Sequence, residues 1–70
     1  MPSRLDLRPE MTKACENVRT GEKIVTRQKA LVRKIRSQGY PSVLAEVLLE
    51  TFEEVQRAHV RHLERLRQAS

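Results

Sequence analysis

Two histidines three residues apart, His59 and His62, lie in the run AHVRHLERL from Ala58 to Leu66. A pair at i and i+3 on a helix can share a metal ion, and the single cysteine, Cys15, adds a candidate thiolate. Zinc accepts such nitrogen and sulfur ligands, and Glu22 would serve as a fourth. The spacing matches no standard metal pattern, however. A lone helical cysteine is also usually a small apolar filler. The expectation is no metal and no cofactor, with His59, His62 and Cys15 as the only weak candidates. The simpler role for the histidines is packing in a helical seam, His59 lying in a notch at Gly21. A buried imidazole of that kind would loosen the seam as it charges below about pH 6.5.

No catalytic set accompanies them. Ser-His-Asp spacing and a glycine-rich phosphate loop are both missing from the chain. Glu53 and Glu54 are adjacent, so on a helix their carboxylates diverge and cannot act as an acid–base pair. The expected protein is not an enzyme.

The elements that position these residues are helices. Glycine and proline punctuate only the start (Pro2, Pro9) and the middle (Gly39, Pro41), leaving Gly21 as the one interruption. Asp6 is the candidate N-cap of a first helix over about 7–38, with Pro9 tolerated in its first turn and Gly39 ending it. A turn over 39–42 leads to a second helix over about 42–68. In the first helix Met11, Val18, Val25 and Val32 recur every seven residues, with Ala14, Gly21, Gln28 and Ile35 between them. In the second, Ala45, Phe52, His59 and Leu66 alternate with Leu48, Val55, His62 and Ala69. These are a/d-type seams, and a short connection makes the helices antiparallel neighbours. The fold class is all-α, an antiparallel two-helix hairpin of coiled-coil type. Facing residues should have numbers adding to roughly 80. That places Arg27, Lys29, Arg33, Lys34 and Arg36 beside Glu46, Glu50, Glu53 and Glu54.

Seventy residues make one small domain, often marginal alone. One cysteine rules out an internal disulfide and suits a reducing compartment. The opening MPSRLDLRPE has no apolar core of a signal peptide, and no run is long enough for a membrane span. A cytoplasmic protein without membrane contact is expected.

A two-helix hairpin cannot hide all of these apolar residues in one seam. Ile24, Leu31, Val43, Leu44, Val47, Leu48, Leu49, Phe52 and Val55 are the candidate interface. Two hairpins pairing into a four-helix bundle would cover them, since twofold dimers are the commonest oligomers. The competing occupant is a different helical protein. The alternative function is nucleic-acid binding. The chain carries 14 basic and 9 acidic residues, a net charge of +5. Arg19 and Lys23 on the first helix, with Arg57, Arg61 and Arg65 on the second, would form a basic patch at the open end of the hairpin. Aromatic residues are 3% of the chain, which argues against base stacking.

The residues Gly21-Glu22, Arg27-Gln28, Gly39, Leu48-Leu49, Phe52-Glu53-Glu54 and His59 together form a pattern. Over about residues 15–66 it resembles a group of small two-helix proteins, without assigned activity, frequent in alphaproteobacteria such as rhizobia. Tyr40-Pro41 departs from the group's usual polar, often acidic, turn. The resemblance implies a two-helix fold and brings no catalytic residues.

Overall fold

The computed structural model describes residues 6–69, which form two helices, α1 over Arg8–Ser37 and α2 over Val43–Ala69. They pack against each other as an antiparallel hairpin.

Each boundary follows from local chemistry. At the start of α1 the Asp6 carboxylate accepts the Arg8 backbone N–H at 3.1 Å and also the Arg8 guanidinium. Leu7, one residue later than expected, is the N-cap residue, and its carbonyl accepts the Met11 N–H at 2.8 Å. Pro9 falls in the first turn, where its missing N–H costs nothing. Gly39 ends the helix with φ of 76°, a left-handed conformation that a Cβ makes costly. The Gly39 N–H then reaches the Arg36 carbonyl and the Tyr40 N–H the Ile35 carbonyl. These are the two bonds of a Schellman motif, and they satisfy carbonyls that the helix end would leave open. Ser42 opens α2. Its carbonyl accepts the Glu46 N–H at 2.9 Å, and its hydroxyl donates to the Glu46 carboxylate at 2.6 Å. The Arg36 guanidinium bonds to the same carboxylate from α1, so Glu46 ties the turn to both helices.

The α1 seam coincides with the sequence pattern. Met11, Ala14, Val18, Gly21, Val25, Gln28, Val32 and Ile35 are all buried or half-buried. The α2 seam does not. Ala45, Phe52, His59 and Leu66 face inward as expected, but Leu49, Gln56 and Leu63 alternate with them. Leu48, Val55, His62 and Ala69, expected in that place, are exposed.

Two side-chain amides set this register. Gln28, only 8% exposed, donates to the Ala45 carbonyl at 2.8 Å. Gln56 donates to the Val18 carbonyl at 2.9 Å. Each helix thus sends one amide onto the backbone of the other. Gly21 makes the second bond possible, because a Cβ there would fall on the Gln56 side-chain oxygen. The notch at Gly21 is real, but Gln56 occupies it and not His59, a correction of three residues to the expected facing rule. The same Gln56 oxygen is buried without a hydrogen-bond partner. Such a group costs about 1–3 kcal/mol.

Gly21→Ala should therefore behave differently in two backgrounds. With Gln56→Ala present, it should stabilise by about 1 kcal/mol, the ordinary gain of alanine over glycine in a helix. With Gln56 intact the gain should shrink or vanish, since the amide must swing away from Val18. Urea unfolding of the four proteins reads this directly, and equal effects in both backgrounds would dismiss the contact.

The Glu46 carboxyl is held below its ordinary value of 4.5, first by the Ser42 hydroxyl and further by Arg36. Its contribution to stability is complete above pH 4.5 and is lost as pH falls through the lower, folded-state value. Glu46→Gln should flatten the stability profile on the acid side of pH 4.5, measured by thermal melts across acidic buffers. An unchanged acid slope would count against the bond.

Candidate interaction surface

The displaced register leaves α2 with two stripes. The inward one packs on α1. The outward one reads Leu44, Leu48, Thr51, Val55, Ala58 and His62, every member exposed. Its spacing alternates four and three residues, the repeat of a helix that meets another helix along its length. Leu44 is 75% exposed, Leu48 43% and Val55 48%. Helical spacing sets Ile24 and Leu31 of α1 on the flank that adjoins Leu48 and Val55, and both are also exposed. Val43 and Val47 extend the apolar area round the first turns of α2. Of the expected interface residues, Leu49 and Phe52 are corrected. Both are half-buried in the hairpin's own seam, because Gln28 and Gln56 turn that stripe inward.

The two long flanks of the hairpin differ in character. Arg36 and Glu46 pair across one flank. The other carries Ile24, Leu31, Leu48 and Val55. Glu50 and Glu54 are exposed on the outer side of α2, one and two positions from the inward stripe, and do not answer the α1 cations as expected.

The histidines part company. His59 is half-buried in the seam, whereas His62 is exposed and lines a shallow recess with Pro9, Glu10, Lys13, Ala14 and Asn17. Cys15 is half-buried and is not among the residues of that recess. Among the described residues no three His, Cys, Asp or Glu side chains come together to hold a metal ion. The candidates His59, His62 and Cys15 are therefore not assembled into a site.

Nor do the basic rows meet. Lys23 and Arg27 line a groove on α1 with Glu22 and Thr26. Arg57 and Arg61 line another on α2 with Gln56, Val60 and Glu64. Lys23 lies opposite the α1 seam and Arg61 opposite the α2 seam, so the rows point away from each other. Of the expected patch, Lys23 thus lines one groove and Arg57 and Arg61 another. Among the described residues no helix is long and apolar enough to cross a membrane.

The arrangement defines an all-α helical hairpin with a second, unpartnered helical seam. The chain matches no family model, no curated protein and no solved structure in the comparisons made.

With the imidazoles and the thiol apart, zinc and a chelator should give the same thermal midpoint by circular dichroism. A rise of several degrees with stoichiometric zinc would show that the groups converge after all.

Proposed function

We propose that this chain is a non-enzymatic self-association module, two hairpins pairing through the outward seam of α2 into a four-helix bundle. The observation that carries the reading is the outward stripe itself, a heptad-spaced seam with no helix against it. Chance exposure of single apolar residues is common on protein surfaces, but a stripe in register along several turns is not explained that way.

The core supports the same reading. Among the described residues only Ala14, Val32, Ala45 and Leu63 are buried apolar residues, and no side chain is fully buried. Two of the four are alanines, which contribute little apolar area. A compact monomer of 8.2 kDa exposes roughly 4,500 Å². This chain exposes 5853 Å². The hairpin is therefore a thin, elongated object with much of its side-chain surface in water. Each Leu or Val taken from water contributes about 1.5–3 kcal/mol, and the seam is duplicated in a twofold pair.

Light scattering after size exclusion, at low micromolar concentration, tests the proposal. Wild type should give twice the chain mass. Leu48→Glu combined with Val55→Glu should give a monomer that keeps its helical circular dichroism, since both positions are exposed. A wild-type monomer would overturn self-association and direct attention to a different helical partner for the same face.

A further inference from the structure

Resting on that self-association reading, we infer that the two copies meet antiparallel, α2 against α2, about a twofold axis beside Val55. The charges along the outer edge of α2 carry the inference. Glu50 and Glu54 come first and Arg57 and Arg61 follow, each pair four residues apart and so on one side of the helix. All four are exposed. They flank the outward seam on the side away from α1, where a helix packed on that seam would run alongside them.

The midpoint of this pattern falls between Glu54 and Arg57, level with Val55. An antiparallel partner turned about that level lays its Arg57 and Arg61 along Glu50 and Glu54, and the twofold axis repeats the match. A parallel twofold partner sets this edge against the other copy's α1 side, on the opposite flank of the seam, so the acidic and basic pairs do not meet. Edge charges of this kind choose orientation and register more than they add affinity, because like-charge placements are penalised. The seam agrees with the same turn. Thr51 and Ala58 come together near the axis, and small side chains there let two backbones approach. Leu48 meets the partner's His62, an apolar side chain against the flat face of an imidazole. The inference thereby gives His62 a place that neither a metal site nor the internal seam provides.

Cross-linking of single-cysteine chains tests the orientation. Leu48→Cys and His62→Cys are each made with Cys15→Ser, so that every chain has one thiol. A disulfide needs Cα atoms within about 7 Å. In the antiparallel pair, oxidised dimer should form when the two variants are mixed and be lost when either is oxidised alone. Cross-linking of each variant alone, with no gain on mixing, would mean a parallel pair and would overturn the inference while leaving self-association intact. A dimeric mass without either cross-link would place the interface elsewhere and overturn it too. A monomeric mass would remove the underlying reading as well, so the failures are distinguishable. Charge reversal adds a readout without cysteines. Glu50→Arg with Glu54→Arg should lose the dimer at a concentration where wild type holds it. Adding Arg57→Glu and Arg61→Glu to the same chain should restore it. Retention of the dimer in the first variant would contradict the pairing.

Discussion

Which face of α2 turns toward α1 depends on two side-chain amides that cross the hairpin. Gln28 reaches the Ala45 carbonyl and Gln56 the Val18 carbonyl, about three turns apart along the seam. A polar side chain in a helical seam contributes less stability than a leucine would, but it penalises every register in which it cannot find its partner. Here the penalty is shared. The Gln56 amide as placed needs the space that Gly21 leaves, and its oxygen is left without a partner even so. The hairpin thus accepts a glycine inside a helix and an unpaired buried oxygen in exchange for one defined alignment. Everything on the outside follows from that alignment: the half-buried position of His59, the exposed position of His62, and the apolar stripe presented to solvent.

The two helices differed in how far their patterns could be read, for a physical reason. On α1 one stripe is apolar or small at every position but Gln28, so the 3.6-residue period has a single solution, and residues Met11 to Ile35 fall where that solution puts them. On α2 the series Ala45, Phe52, His59, Leu66 can be completed by residues three ahead or four ahead. Leu48 and Leu49 are both leucine, so the first turn does not decide. Val55 competes with Gln56, and apolarity favours the valine, which is the wrong choice for the internal seam. The deciding signal was Gly21. A glycine in mid-helix implied a bulky side chain lying against it, and the amide of Gln56 fits that demand as well as an imidazole. The termini were legible because their chemistry is local: Gly39, Pro9, Ser42 and Asp6 act within a few residues of themselves. Pairing by level along the hairpin does not fix azimuth, and Lys23 and Arg61 line different grooves. Lys23 and Arg61 sit on the far sides of their own helices, and no shift along the axis brings them together.

The ambiguity of α2 is itself informative. A helix whose sequence supports two apolar faces is a helix with two neighbours, or with one neighbour and a vacancy. In a hairpin of this length α1 can cover only one of them. The buried interior is correspondingly thin, with two alanines among the four buried apolar residues of the described region. Small domains reach adequate stability by adding disulfides, metals or further chains. A single cysteine removes an internal disulfide, and among the described residues His59, His62 and Cys15 do not come together as a group. Addition of a further helix surface is the route the outward stripe leaves open, and it draws on the same force, burial of Leu and Val, that holds the hairpin together.

The charges fall in two groups on the hairpin. On the flank where α1 and α2 meet, Arg36 and Glu46 close the turn end, helped by the Ser42 hydroxyl. These groups act within one chain and near the connection, where the helices are already neighbours, so they refine an alignment the glutamines establish. The acidic and basic pairs on the outer edge of α2 have no such intramolecular role, because α1 lies on the other side of that helix. Their order along the chain, acid then base with the change at Val55, is symmetric under reversal of direction and of sign. A pattern with that symmetry is satisfied by a second copy of itself running the opposite way, and by no parallel copy in register.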